Sequence, residues 1–350
     1  MKKSLTASTF VAIALAAWLI FGSTNRSSAS ANAENNESRI SLKEAAMAMA
    51  ALAPQTSDNI QSRGINPPLN TNLYALTSNN TIYVLRPGAG SFAYLTRPNV
   101  NGNLIGFDFR PADNNNNTAV YALTDTGVIY KINVAGPNVG AATRISTLSP
   151  NFNGGFQSVF DFNPAANALR IQGANNQNYA AVNSNGGNLN TTAVQTALVY
   201  ARGDVNQGQD PSISGGAYTN NLANATSTIY YAVDTARDTF VTIAKPLTAT
   251  GSSNTGGGQL QTIGNLVNPN GQRINFAPDA DFDCYSDPNS VDIIFGVSGL
   301  IFYQIDLGQI NPNLQLGQTQ NVVVKAVQLS APGATGFIDL AVPVATPAAR

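Results

Sequence analysis

A short hairpin signature recurs along this chain and limits its folds more than any other feature. Two branched or aromatic residues, a small residue and a turn appear as Leu73-Tyr74-Ala75-Leu76, Val120-Tyr121-Ala122-Leu123, Ile229-Tyr230-Tyr231-Ala232-Val233 and Ile294-Phe295-Gly296-Val297. A second apolar, β-branched segment follows each: Thr81-Ile82-Tyr83-Val84, Val128-Ile129-Tyr130-Lys131-Ile132, Asp238-Thr239-Phe240-Val241-Thr242-Ile243 and Leu300-Ile301-Phe302-Tyr303-Gln304-Ile305. These compositions are those of β-hairpins. A further strand precedes and another follows each hairpin after the first, as in Gly106-Phe107-Asp108-Phe109-Arg110-Pro111 before Tyr121 and Ala142 to Leu148 after it. The grammar divides the chain into units near 104–148, 156–200, 213–263 and 279–329. In the second of these the hairpin is reduced to Ala168-Leu169-Arg170-Ile171, behind the clear first strand Val159-Phe160-Asp161-Phe162-Asn163-Pro164.

The ends complete the pattern. The hairpin at Leu73 lacks a first strand, and the C-terminus carries a spare one, Thr335 to Pro343. A single four-stranded unit leaves both faces uncovered, and stacking in a circle covers them. The expectation is an all-β, five-bladed β-propeller over residues 72–343, its first blade completed by the C-terminal strand, with a tail at 344–350.

Residues 1–33 read as a signal peptide. Lys2 and Lys3 precede an apolar run from Phe10 to Phe21, and Ala29-Ser30-Ala31 and Ala31-Asn32-Ala33 fit signal peptidase. The run is shorter than the ~20 residues of a membrane span. Residues 34–71 read as a linker holding a short Ala-rich helix, with Ser41 and Glu44 as a capping box and Pro54 as its stop. The expected destination is secreted, extracellular or periplasmic, with no transmembrane segment in the mature chain.

Without Lys2, Lys3 and Arg26, fifteen basic residues remain against nineteen acidic ones, a net charge of −4. No basic stripe is available for phosphates, so nucleic acid is not an expected partner. There is no histidine, which removes the usual nucleophilic triads and His-ligated metals. The one cysteine, Cys284, cannot form an internal disulfide and lies among apolar neighbours, as a buried thiol does. Trp18, the only tryptophan, lies in the signal region, and Tyr74, Tyr121, Tyr130 and Tyr231 read as blade packing. Gly256-Gly257-Gly258 and Asn185-Gly186-Gly187 lack the lysine of a phosphate loop and read as turns.

The FDFRP segment at 107–111 and the run from Phe160 to Ile171, with Gln177-Asn178-Tyr179 and Ala217-Tyr218-Thr219-Asn220, resemble an uncharacterised bacterial secreted family, domain of unknown function 4394. The resemblance spans about 72–343 and implies a fold and a secreted life, but no activity. The chain departs from the family at Asn167-Ala168, where a charged pair is usual, and lacks an arginine after Tyr179.

Aspartates carry whatever chemistry the chain has. Asp108, Asp161, Asp283 and Asp339 sit at matching places on first strands, each beside apolar residues. They read as structural acceptors before they read as ligands for Ca2+ or as a glycosidic acid–base pair. Asp279, Asp281 and Asp283 alternate, which puts three carboxylates on one face of a strand, and they are the candidate metal ligands. Asp204 to Asp210 alternates oxygen ligands but lacks the glutamate of a calcium loop, so it reads as a polar loop.

No catalytic residue and no cofactor is nominated, Ca2+ at the aspartates being the one candidate ion. The expected function is a monomeric, non-enzymatic domain binding an extracellular ligand or protein at its channel face. The alternatives are a Ca-dependent hydrolase or lyase with channel carboxylates, and a cell-surface structural protein.

Overall fold

A computed structural model describes residues 65, 71–113, 117–182, 189–223, 225–243, 257–286 and 292–345. The signal peptide, most of the linker with its helix, Asn185-Gly186-Gly187 and the last residues of the tail lie outside them.

Among the described residues twenty-one strands follow one another: β1 (Leu73–Leu76), β2 (Ile82–Leu85), β3 (Ala93–Thr96), β4 (Leu104–Asp108), β5 (Ala119–Thr124), β6 (Val128–Asn133) and β7 (Ala142–Thr147). Next come β8 (Ser158–Asn163), β9 (Ala168–Gly173), β10 (Asn178–Val182), β11 (Thr191–Val194), β12 (Val199–Tyr200), β13 (Ile213–Tyr218) and β14 (Tyr230–Asp234). The last are β15 (Thr239–Ile243), β16 (Gln259–Val267), β17 (Asp281–Tyr285), β18 (Ile293–Ser298), β19 (Ile301–Asp306), β20 (Val322–Gln328) and β21 (Asp339–Ala341). Among the described residues the helical structure is a 3-10 turn, Leu307–Gln309, capped by the Asp306 carboxylate. No described helix is long and apolar enough to cross a membrane.

The fold is all-β and propeller-like. Three sheets have four strands, in the orders β21-β1-β2-β3, β4-β5-β6-β7 and β8-β9-β10-β11. The other eight regular strands form two antiparallel sets, β13 to β16 and β17 to β20, joined where β16 runs parallel to β20 through Leu266 and Val267. The C-terminal strand pairs with the N-terminal one, with Tyr74 opposite Ala341 and Leu76 opposite Asp339. The third sheet ends at Val194, earlier than the unit boundary at 200, because Val199 and Tyr200 leave it to pair with β16.

Burial explains the sequence pattern. The first two strands of a sheet, such as β4 and β5 or β8 and β9, are buried along their whole length, since neighbouring sheets cover both faces. They therefore read as continuous apolar runs. Outer strands are less covered: β20 alternates between buried and exposed residues, and β7 buries only Ser146. The hydrophobic clusters each lie between two successive sheets: Tyr74, Leu76 and Ile82 meet Phe107 and Val120, while Tyr121 and Leu123 meet Phe162 and Leu169. Val159 and Tyr200 meet Tyr218 and Tyr230; Val233 and Phe240 meet Phe282 and Ile294. Finally Phe295 and Phe302 meet Leu73, Phe92 and Phe337.

One glycine is demanded by the junction of the last two sheets. A Cβ on Gly264 would lie 1.5 Å from the Gln320 carbonyl oxygen, a backbone atom with nowhere to move. Gly264→Ala is expected to lower stability by about 3 kcal/mol in urea unfolding, the upper part of the usual overpacking cost.

Candidate functional site

The first strands β21, β4, β8, β13 and β17 lie side by side, each next to two of the others. Their aspartates are bonded across the gaps. Asp339 Oδ2 accepts the Phe107 N–H at 2.8 Å, Asp108 Oδ2 accepts Phe162 N–H at 2.9 Å, and Asp161 Oδ1 accepts Tyr218 N–H at 3.1 Å. Asp281 Oδ2 accepts Leu340 N–H at 3.3 Å, and Asp283 Oδ2 accepts Val342 N–H. Each carboxylate thus satisfies a backbone donor on the next sheet's first strand, a bond that also costs less than leaving the donor orphaned. Strand β13 has no aspartate; Ser214 donates to the Ala280 carbonyl instead, at 3.0 Å.

Register corrects the expected equivalence of the four aspartates. Asp108 and Asp283 face Tyr121 and Phe295, the aromatic position of the hairpin signature, and Asp161 faces Arg170 at the matching site. The residue facing Tyr74 is Ala341, not Asp339. Asp339 faces Leu76, as Asp281 faces Val297 and Gly106 faces Leu123. The carboxylates therefore form two tiers, one of Asp108, Asp161 and Asp283, the other of Asp281 and Asp339. Side chains two apart on a strand share a face, so both tiers point the same way. Gly106 leaves room here: a Cβ on it would sit 2.9 Å from Asp339 Oδ2.

Within each tier the carboxyl groups lie side by side, Asp281 beside Asp339 and Asp283 beside Asp108 and Asp161. Two ionised carboxylates have no donor between them, so each such contact needs a proton. Burial raises all five affinities for protons: Asp281 is pushed up to about 8 and Asp283 to about 7. Asp108, Asp161 and Asp339 stand well above the usual carboxylate range, through burial first and then through neighbouring aspartates. Asp281 Oδ1 and Asp339 Oδ1 are buried without a conventional donor.

The three expected metal ligands are not one group. Asp281 and Asp283 are buried on β17, while Asp279 precedes the strand and is half-buried. Among the described residues no three carboxylate or thiol side chains are grouped so as to hold a metal ion. The Asp204 loop is likewise occupied by its own contacts. Asp204 accepts the Thr262 N–H at 2.6 Å, the Thr262 hydroxyl at 2.7 Å and the Asn206 N–H at 2.8 Å, pinning the loop to β16. Cys284 is a free, buried thiol whose proton affinity burial pushes up, a thiol unsuited to nucleophilic work. Tyr74 packs on Phe109 and Tyr121 on Phe162, each at 5.4 Å between rings, while Tyr231 stacks on Phe240 at 5.1 Å. Gly257 and Gly258 both have positive φ, as turn glycines do.

Sequence reasoning missed a polar cleft of about 720 Å³ on the outer side of the β13–β16 sheet. It is bounded by the loop at Val205, Asn206 and Gln209, the β14–β15 turn from Ala236 to Thr239, strand β16 and the segment Arg273 to Asn275. None of its residues belongs to a first strand. Asp238 lies on its wall with φ of 50°, and its Oδ1 accepts the Phe276 N–H at 2.9 Å. Burial also raises its proton affinity, partly offset by that bond and by Arg273. Five segments, spread from Val205 to Thr319, build the cleft, and no local motif marks it.

Comparison with solved structures finds a luciferin-regenerating enzyme, at TM-score 0.39 and 10% identity, over 74% of this chain and 73% of that one. A structural-genomics protein of unknown function from Bacteroides thetaiotaomicron has TM-score 0.40 and 12% identity, over 78% of this chain and 62% of that one. The major Malassezia sympodialis allergen Mala s 1 has TM-score 0.40 and 8% identity, over 78% of each chain. Comparison with curated proteins finds no match. The family model described as domain of unknown function (DUF4394) matches residues 99–324. The repeated first strands and hairpins described above fall largely within that match, and the chain belongs to this family of unknown function.

Proposed function

We propose that the chain is an exported, non-enzymatic binding domain built as a closed five-bladed propeller. The cyclic neighbourhood of first strands β21, β4, β8, β13 and β17 supports the ring, as do the clusters between successive sheets and the pairing of β21 with β1. The observation that carries the non-enzymatic reading is the use made of the aspartates. All five are buried and each accepts a backbone N–H from the next sheet, so they act as staples. A hydrolytic pair would need access to substrate and to water. The same burial moves binding away from the expected channel face to the outer cleft, where a partner can reach polar side chains.

The rival reading, a calcium-dependent hydrolase or lyase, gives an opposite result in a simple experiment. Melting the protein in millimolar Ca2+ and in a chelator is expected to give the same Tm within about 1 °C, since an ion that binds only the folded state must raise it. A rise of several degrees in Ca2+ that Asp281→Asn with Asp283→Asn abolishes would sink the binding reading and install the rival. Fractionation of the native cells tests export: the expected result is protein outside the cytoplasm, with the 1–33 segment removed.

A further inference from the structure

We infer that the outer cleft is a binding site for acidic sugars, taking a uronate unit through Arg273 and Asp238; the inference rests on the reading of the chain as a binding domain. The volume of about 720 Å³ lies within the roughly 300–1,000 Å³ of small-molecule sites and suits a short oligosaccharide.

The chemistry of the wall selects the ligand. Asn265 presents an amide that both donates and accepts, as sugar hydroxyls do, while Asn206 donates to the Thr262 hydroxyl at 2.9 Å and keeps its amide oxygen, and Gln209 keeps its amide nitrogen, for a ligand. Arg237 is a fixed part of the wall: its guanidinium bonds to Asp234 at 3.1 Å, to the Asp210 carbonyl at 2.7 Å and to Gln209 Oε1 at 3.1 Å. Arg273 differs. It is exposed and bonds through one nitrogen to the Arg237 carbonyl. Most of its five N–H donors are left for a carboxylate, which a guanidinium fork matches in shape. Asp238 supplies the complement. Oδ1 is held by the Phe276 N–H, and Oδ2 has no donor among the described residues, leaving it to accept a sugar hydroxyl.

These two groups favour one ligand class over its neighbours. A phosphate or sulfate would bring its several negative oxygens against the Asp238 carboxylate, and a neutral sugar would leave the remaining Arg273 donors to water. A polyol with one carboxylate satisfies both.

The test is calorimetric titration of the full chain with a tri-glucuronate, beside a neutral trisaccharide of equal length and inorganic phosphate. NMR shifts of Asn206, Asn265 and Arg273 amides locate any binding. The expected result is tri-glucuronate binding at the cleft, at least about tenfold tighter than the neutral sugar, and weakened about tenfold by Arg273→Gln, each factor worth about 1.4 kcal/mol. Asp238→Asn is the second variant, because asparagine tolerates the positive φ and leaves the turn intact; it is expected to weaken binding several-fold with an unchanged Tm. Equal binding of the neutral sugar, indifference to Arg273→Gln, or shifts away from the cleft would each overturn the inference. If tri-glucuronate does not bind while another glycan or a peptide shifts the cleft, the ligand class falls and the binding domain stands. If a broad panel shifts no surface, both fall.

Discussion

The protein is expected to melt roughly 10 °C lower at pH 8.5 than at pH 5, the reverse of the behaviour of proteins whose aspartates sit in salt bridges. The sign follows from where the protons are. Asp281 and Asp283 hold theirs to about 8 and about 7 in the folded state, and Asp108, Asp161 and Asp339 are also raised, whereas an unfolded aspartate loses its proton near 3.8. Between those values the folded state binds more protons than the unfolded one, so stability falls as pH rises. Each proton retained by the folded state costs about 1.4 kcal/mol per pH unit over its window. Asp281 and Asp283 alone then amount to about 7 kcal/mol between pH 5 and 8.5, which makes roughly 10 °C the lower bound for a domain of this size. Below about pH 4 both states are protonated and the effect vanishes.

The pair Asp281 and Asp339 gives a sharper version. Asp281→Asn keeps an acceptor for the Leu340 N–H and adds an amide donor where Asp339 Oδ1 has none. The variant is expected to match the parent within about 2 °C at pH 5 and to melt several degrees higher at pH 8.5, since removing a buried ionisable pair relieves its desolvation cost. A variant less stable than the parent at both pH values would show that the pair is ionised and held by something else.

The second large effect concerns the ends of the chain. Truncation after Pro332 is expected to abolish cooperative unfolding and to leave the chain open to protease. It removes the strand that pairs with β1 and the Asp339 staple to Phe107. It also removes Phe337, Ile338, Leu340 and Val342, all buried. At about 1.5–3 kcal/mol for each large apolar side chain, the loss reaches the ~5–15 kcal/mol by which domains are stable. Phe337→Ala alone, which empties the space between Tyr83 at 5.6 Å and Phe92 at 4.7 Å, is expected to cost about 3–5 kcal/mol. A peptide covering 333–345 added to the truncated chain is expected to restore the transition. An unchanged melt after truncation would mean that β21 is an ornament on the first sheet.

Much of the fold was legible because its information is local. Tyr121, Ile129 and their counterparts are β-branched or aromatic residues at hairpin spacing, and the spare strand at Phe337 was recognisable by its likeness to Phe107 and Phe160. The two-tier arrangement was not legible. Ile338-Asp339-Leu340 looks like Phe107-Asp108-Phe109, and only the pairing of Leu76 with Asp339 reveals the shift of two residues. Val199 and Tyr200 follow directly on the third sheet in sequence, yet they pair with Gln259 and Leu260, sixty residues on. The cleft is harder still. Asn206, Asp238, Asn265 and Arg273 come together only when β12, β15 and β16 have packed, and none stands out in its own neighbourhood.

The most direct measurement is an NMR titration of the aspartate side-chain carboxyl carbons between pH 3 and 9. Asp108, Asp161, Asp281, Asp283 and Asp339 as a set are expected to retain protons at pH 6, with Asp283 releasing its own near 7 and Asp281 near 8. Titration of all five near pH 4 or below would mean that the first strands are not joined by proton-sharing carboxyls, and would contradict it.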